Sequence, residues 1–226
     1  MYQHLSNYYN QLFPNDKDLF SLMKRYIVKD KKAIDLGCGT GRLTKVIFDH
    51  QMDVTGIDLD AEMTRFASKS YPNIKFIEQN MVDALEDHYH LITCFGNTLP
   101  HLNQDNLLIF LNKVKEKLDS KGYLVVEMLN YDKIMKEKPS HLKPIDIGDI
   151  HFSRLYEYNQ ESIKFTTVLK VNQQILTGST TLYPYTLQKL DQIIHQSNLN
   201  YKVYGNLDQT PFKESDYYYY IVITQQ

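Results

Sequence analysis

Short apolar runs alternate with helical patterns from residue 33 to residue 129, and this alternation constrains the fold more than any other feature of the sequence. The apolar runs fall at 33–36, 54–57, 74–77, 91–95 and 122–129. Between most of them, apolar residues recur at the three- and four-residue spacing of a helix with one buried face. Strands that alternate with helices form a parallel sheet covered on both faces. The sequence therefore predicts an α/β fold around a mostly parallel sheet.

The two flanks of this region carry different patterns. A helix is predicted from Asp16 to Val28, within an N-terminal helical cap of residues 1–30. After about residue 130 the helical spacing stops, and residues 151–183 alternate apolar with polar positions, which predicts a small antiparallel β insert. The final elements predicted are a helix at 186–196 and strands at 201–204 and 217–224. We expect a single domain over residues 1–226, with the insert as its embellishment.

Composition excludes several classes of function. A formal net charge of -2 provides no broad basic face, so nucleic acid is not the expected partner. No apolar stretch approaches the roughly 20 residues of a spanning helix, and the first residues do not form a signal peptide, so we expect a cytoplasmic protein with no membrane partner. Cys38 and Cys94 are the only cysteines, and we expect two reduced thiols. His88 and His90 lack a third ligand at matching spacing, so no metal site is predicted.

Residues 33–41 read A-I-D-L-G-C-G-T-G, with a glycine at every second position from Gly37. Glycines let the first strand-to-helix turn of a parallel sheet approach a ligand closely, at the edge where such sheets bind ligands. A dinucleotide fingerprint requires a glycine three positions after its second one, and Arg42 stands there. A nicotinamide or flavin dinucleotide is therefore disfavoured, and no Lys-Ser or Lys-Thr pair completes a P-loop.

The second predicted strand ends in G-I-D-L-D, which places Asp58 about twenty residues after the first glycine. An acidic side chain at this point accepts hydrogen bonds from the hydroxyls of a ribose. The alternative is that Asp58 caps the following helix, although Asp60 is better placed for that role. The pattern favours a ligand that has a ribose and no pyrophosphate.

Together these two motifs resemble those of class I S-adenosylmethionine-dependent methyltransferases. F-I-E-Q-N-M-V-D resembles the adenine-binding turn of that family, and C-F-G-N-T-L-P-H-L resembles the loop after its fourth strand. The resemblance covers most of residues 2–158, and it implies a Rossmann-like fold with S-adenosyl-L-methionine as cofactor. Y-Y-N-Q-L-F-P near the start and N-Y-D-K-I after the fifth strand are similar to the small-molecule, glycine/sarcosine N-methyltransferase-like group.

The resemblance implies a set of cofactor-binding residues. These are Tyr8, Asp35, Gly37, Cys38, Gly39, Asp58, Leu59, Met63, Asn80, Met81 and Phe95. Asp35 holds the amides of its own loop or reaches the cofactor ammonium. Asn80 stands where the family often has aspartate, and its carbonyl is able to accept the adenine amino hydrogen without charge assistance. Met81 either lies near adenine or packs in the core.

The acceptor side of the site is predicted at Tyr9, Asn97, His101 and Arg154. Tyr8 and Tyr9 either face the sulfonium from a covering helix or are ordinary apolar-face residues. His101 is a catalytic base or the start of a helix. Arg154 is a surface charge or, because its fork fits a carboxylate, an anchor for the acceptor.

Methyl transfer is a one-step displacement that needs positioning and exclusion of water, not a protein nucleophile. The sequence is accordingly interpreted as a methyltransferase for a small-molecule acceptor, with an amine nitrogen as the expected methyl acceptor. An oxygen acceptor is the alternative, as is a regulatory protein that binds the cofactor without turnover. The insert at 151–183 is expected to form a lid over the site or the surface of a homodimer.

Overall fold

The computed structural model describes residues 5–14 and 23–226. Its strands are β1 Lys32–Leu36, β2 Asp53–Asp58, β3 Lys75–Glu78, β4 Tyr89–Cys94, β5 Leu118–Leu129, β6 His141–Ile147, β7 Ile150–Tyr158, β8 Ile163–Val171, β9 Gln174–Leu182, β10 Leu199–Tyr204 and β11 Tyr218–Gln225. Its α-helices are α1 Ser6–Leu12, α2 Arg42–Asp49, α3 Ala61–Ser70, α4 Gln104–Lys117, α5 Tyr131–Glu137 and α6 Leu187–Gln196. Short 3-10 helices lie at Met23–Tyr26 and Leu99–His101.

Seven strands form the main sheet in the order β10-β11-β5-β4-β1-β2-β3. The strands β1 to β5 run parallel, and β11 runs antiparallel to both β5 and β10. All six residues of β4, which lies at the centre of this sheet, are buried, as expected for a strand with helices on both faces. The predicted α/β fold with a mostly parallel sheet and an antiparallel addition is confirmed. None of the helices described is both long and apolar enough to cross a bilayer.

Four strands form a second, antiparallel sheet in the order β6-β7-β8-β9. The strands β7 to β9 correspond to the predicted insert, whereas β6 was not predicted. Most side chains of β6 are exposed, and Pro144 lies within it, so this edge strand lacks the alternation that marks a half-buried strand. The helix α5 was also missed because it has only seven residues, although Asn130 caps it by accepting a hydrogen bond from the Lys133 amide.

The predicted helix from Asp16 to Val28 lies partly outside the described residues. Its described part is a 3-10 helix that ends at Tyr26, two residues before the predicted end.

The second sheet lies over the carboxyl edge of the main sheet. The Tyr183 amide, directly after β9, donates to the Pro100 carbonyl at 2.8 Å, which ties the sheet to the segment that follows β4. At the other end, Phe152 of β7 packs in an apolar cluster with Leu12 of α1 and Met63 of α3. The inner face of the second sheet thus roofs the edge at which parallel sheets bind ligands.

Candidate functional site

A cavity of about 980 Å³ lies between the carboxyl ends of the main-sheet strands, α1 and the second sheet. Every residue predicted for the site lines this cavity except Tyr8. Tyr8 instead packs against the apolar cluster that joins α1 to α3 and β7. Tyr9 also packs against this cluster, and of the two tyrosines it is the one that lines the cavity, so the cofactor contact of Tyr8 stays a prediction.

The glycine loop wraps the end of β1 against the end of β2. The amides of Gly37 and Cys38 both donate to the Ile57 carbonyl, at 2.8 and 2.9 Å. Gly37 and Gly39 have φ of 71° and 53°, in the left-handed region that side chains disfavour. A Cβ on Gly37 would come within 2.4 Å of Thr98 Oγ1, whereas one on Gly39 would meet nothing within 4 Å. Gly37 is thus required by packing, and Gly39 keeps the backbone open to the cavity.

Asp58 stands at the end of β2 and faces this loop. One carboxylate oxygen accepts the Gly39 amide at 2.8 Å, and the other accepts the Asp60 amide at 2.9 Å. Burial raises the pKa of Asp58, and these two backbone hydrogen bonds partly offset that effect. Asp60, not Asp58, caps α3 by accepting the Glu62 amide at 3.0 Å. Each Asp58 oxygen retains a further lone pair for a hydroxyl donor in the cavity.

Asp35 is buried beneath the loop, with 2% of its surface exposed. Its two oxygens accept hydrogen bonds from the hydroxyls of Thr44, at 2.6 Å, and Thr93, at 2.7 Å. Burial raises the pKa of Asp35 to about 6, against the lowering effect of the two threonines. The carboxylate therefore connects β1 to α2 and to β4 through hydrogen bonds directly beneath the glycine loop.

The helix α1 closes one side of the cavity. The Thr40 hydroxyl donates to Asn10 Oδ1 at 2.7 Å, and Arg42 donates to the Phe13 carbonyl just after α1. The Arg42 guanidinium lies 5.8 Å from the centre of the Tyr9 ring. These contacts hold the Tyr9 ring inside the cavity, where burial raises the pKa of its phenol.

The turn after β3 lines the end of the cavity expected to hold adenine. Asn80 Oδ1 accepts the Val82 amide at 2.9 Å, so the side chain shapes this turn and retains a lone pair for a second donor. Met81 is buried in the core cluster and also borders the cavity. Leu59 lines the cavity and is 72% exposed.

The side chain of Asn97 is hydrogen-bonded at both its nitrogen and its oxygen. Its Nδ2 donates to the Tyr131 hydroxyl at 3.0 Å, and its Oδ1 accepts the Leu129 amide at 3.1 Å. Asn97 has φ 63°, which asparagine tolerates better than most residues. Asn97 thus joins the loop after β4 to the end of β5, and its predicted catalytic role stays a prediction.

His101 lies in the 3-10 helix after β4, beneath the second sheet. Its Nδ1 is 3.4 Å from the Thr180 hydroxyl of β9. Burial lowers the pKa of His101 to about 4, so the imidazole is neutral near pH 7. It is therefore suited to hydrogen bonding in the cavity and is a weak base for proton removal.

Arg154 extends from the inner face of β7 into the cavity. Its guanidinium lies 5.9 Å from the Phe13 ring and 5.8 Å from the Phe152 ring. The Nη2 group donates to the Lys143 carbonyl at 3.0 Å. Among the described residues, no carboxylate forms an ion pair with it. Arg154 thus brings a cation without a partner acid to the acceptor side.

Sequence reasoning missed several residues that line the same cavity. They are Arg42, Glu127, Tyr156, Thr167, Thr180 and Tyr218. Strand alternation was able to reveal Tyr156, because it lies two positions after Arg154 and therefore on the same face. Nothing local marks Glu127 and Tyr218, which are brought together by the pairing of β5 with the last strand of the chain.

Comparison with known proteins agrees with this geometry. A sequence family described as a methyltransferase domain matches residues 33–122. These residues are similar to that family. They include the glycine loop, Asp58 and the turn after β3, and they exclude the second sheet.

Curated relatives match about half of this chain. A dTDP-3-amino-3,6-dideoxy-alpha-D-glucopyranose N,N-dimethyltransferase of Streptomyces fradiae is 29% identical over 112 residues, which are 49% of this chain and 44% of that protein. A trans-aconitate 2-methyltransferase of Rhizobium etli is 32% identical over 114 residues, 50% of this chain and 42% of that protein. The chain thus spans less than half the length of these relatives.

The whole fold has a counterpart among solved structures. The crystal structure of a S-adenosylmethionine-dependent methyltransferase from Clostridium acetobutylicum superposes with a TM-score of 0.86 at 16% identity, covering 100% of this chain and 99% of that one. This chain therefore shares the Rossmann-like fold of that solved structure over its whole length, second sheet included.

Proposed function

We propose that this chain catalyses S-adenosylmethionine-dependent methylation of a small-molecule acceptor, with an amine nitrogen as the atom methylated. The observation that carries the proposal is the glycine loop with Asp58 beside it, opening onto a roofed cavity. The match of residues 33–122 to a methyltransferase domain supports the same reading. The subgroup resemblance, together with the sugar N,N-dimethyltransferase among the relatives, favours nitrogen as acceptor.

The residues present fit S-adenosylmethionine. Gly39 leaves its position open towards the cavity, where a side chain would project into the ligand space. Asp58 retains lone pairs for ribose hydroxyls, and the exposed Leu59 next to it provides an apolar surface for the nucleoside. When bound, S-adenosylmethionine supplies a methyl group that an acceptor lone pair attacks directly.

The chain contributes binding, orientation and exclusion of water. The second sheet and α1 roof the cavity, so an acceptor inside is held away from solvent. Tyr9 lies with its hydroxyl close to Gly96, 3.8 Å from the position that a Cβ would take there. The neutral His101 adds no positive charge that would oppose the binding of an amine.

An oxygen acceptor is the second candidate. It is favoured by Arg154, whose unpaired guanidinium suits an acidic acceptor, and by the trans-aconitate 2-methyltransferase among the relatives, whose name specifies an acidic substrate. A single experiment addresses both candidates. The protein is incubated with S-adenosylmethionine and fractions of a metabolite extract, S-adenosylhomocysteine is quantified, and the methylated product is identified by mass spectrometry.

Release of S-adenosylhomocysteine with one fraction and a methylated amine in that fraction would support the proposal. A methyl ester or ether would establish the oxygen candidate. Binding of the cofactor without turnover in any fraction would point to a regulatory protein instead.

A further inference from the structure

We propose that Arg154 and Tyr156 form a subsite for one carboxylate, so that the methyl acceptor is a small molecule that bears a carboxylate apart from the atom methylated. This inference rests on the proposed methyl transfer and adds the chemical class of the acceptor. Both residues lie on β7 and line the cavity. Since alternate residues of a strand share a face and rise about 3.3 Å each, their Cα atoms are roughly 7 Å apart.

Each of the two side chains holds a polar group that has no partner. Arg154 Nε and Tyr156 Oη are both shielded from solvent, and neither forms a hydrogen bond. Tyr156 is 5% exposed, and burial raises the pKa of its phenol, so its hydroxyl stays protonated and is a donor. Buried donors without acceptors are rare and destabilising in folded proteins, and they mark a place where an acceptor belongs.

The Arg154 guanidinium is already fixed in position. The rings of Phe13 and Phe152 flank it, each with its centre just under 6 Å away, and the Lys143 carbonyl accepts from Nη2. Because these contacts leave Nε without a partner, the group is pre-organised with a donor to spare. A carboxylate has two oxygens and is the partner that an arginine edge fits best. Tyr156 Oη then provides a further donor for the same group.

The charges of the cavity favour a single negative charge. Its lining includes two arginines, and Arg42 is occupied by the Phe13 carbonyl and the Tyr9 ring. Burial keeps His101 neutral. Arg154 is the arginine on β7, and several carboxylates line the rest of the cavity. A phosphate dianion would bring a second negative charge near those carboxylates, which a buried site penalises.

The test uses pairs of amines that differ only in the anionic group. 3-Aminopropanoate, 4-aminobutanoate and 5-aminopentanoate are compared with their amides, and 2-aminoethyl phosphate serves as the phosphate probe. Binding is measured by calorimetry with and without saturating S-adenosylhomocysteine. We expect at least one carboxylate to bind roughly tenfold or more tightly than its amide, because a hydrogen bond to a charged group is stronger than one to a neutral group.

Two variants connect that preference to the subsite. Arg154→Met should abolish the preference for a carboxylate over its amide. Tyr156→Phe removes only the unpartnered hydroxyl and should reduce this preference several-fold. It provides the test if Arg154→Met fails to fold. Tyr158→Phe is the matched control on the same strand, because its hydroxyl donates to the Pro139 carbonyl. Arg65→Met on the exposed side of α3 controls for loss of a charge.

Three outcomes would overturn the subsite: equal binding of carboxylates and amides in every pair, a preference that survives Arg154→Met, or tightest binding of the phosphate. Failure of the wild-type protein to bind S-adenosylhomocysteine would count against the proposed methyl transfer instead. The pairs measured without that ligand would still report on the subsite.

Discussion

Gly37 and Gly39 provide a matched pair of alanine substitutions that separates the packing of the ligand loop from its binding. Both residues have left-handed backbone angles, so alanine costs roughly 1–2 kcal/mol at either position. At Gly37 the new Cβ would also meet the Thr98 side chain at 2.4 Å, and overpacking adds about 1–3 kcal/mol. At Gly39 the space is open. The free energy of unfolding should thus fall by roughly 2–5 kcal/mol in Gly37→Ala and by roughly 1–2 kcal/mol in Gly39→Ala.

Thermal unfolding without ligand measures the first effect. In a chain of this size about 1 kcal/mol shifts the midpoint by roughly 2–4 °C, so Gly37→Ala should melt clearly below Gly39→Ala. Calorimetric titration with S-adenosylhomocysteine measures the second effect. Gly39→Ala should weaken binding by tenfold or more, about 1.4 kcal/mol, because its methyl group enters the ligand space. Equal melting of the two variants, or unchanged binding by Gly39→Ala, would refute the assignment of these roles.

Three further predictions concern titratable groups of the site. Asp58→Ala should weaken S-adenosylhomocysteine binding by roughly 1–3 kcal/mol without unfolding the chain, and an unchanged dissociation constant would limit Asp58 to holding its loop. Burial raises the pKa of Asp35 from 3.8 to about 6, so the folded state binds its proton more tightly than the unfolded state does. The resulting stabilisation of the folded state is complete below pH 3.8 and is lost as the pH rises through 6. The free energy of unfolding of the wild type, measured by urea unfolding relative to that of Asp35→Asn, should therefore fall by an amount on the order of 3 kcal/mol between pH 4 and pH 7. A difference between the two proteins that stays constant over this range would contradict the prediction. His101, with its pKa lowered by burial to about 4, should remain neutral at pH 5.5 in nitrogen-15 NMR spectra, and a charged imidazole there would show that the roof of the cavity is open to water.

The central part of the fold was predictable because its signals are local. Each strand from β1 to β5 contains a short apolar run, and the central strand β4 is buried along its whole length. The glycine spacing and Asp58 lie on consecutive strand ends, so their proximity follows from the parallel order of the sheet. The structure places the Asp58 carboxylate 2.8 Å from the Gly39 amide, nineteen residues earlier in the chain.

The remaining features depend on contacts that no local pattern records. The strand β6 has mostly exposed side chains, so its membership in a sheet comes from pairing with β7. The sequence also does not show that Asn97 hydrogen-bonds the Tyr131 hydroxyl and the Leu129 amide, more than thirty residues later in the chain. The face that α1 turns towards the cavity was likewise undetermined, since Tyr8 and Tyr9 are adjacent and chemically identical.

Calorimetric titration of the purified protein with S-adenosylhomocysteine, with a nicotinamide dinucleotide as comparison, tests the central claim most directly. One equivalent of S-adenosylhomocysteine should bind and raise the melting midpoint, because a ligand bound by the folded state alone stabilises that state. The dinucleotide should give no comparable heat, since Arg42 stands where its fingerprint requires glycine. No heat and no thermal shift at saturating S-adenosylhomocysteine, or preferential binding of the dinucleotide, would contradict the account.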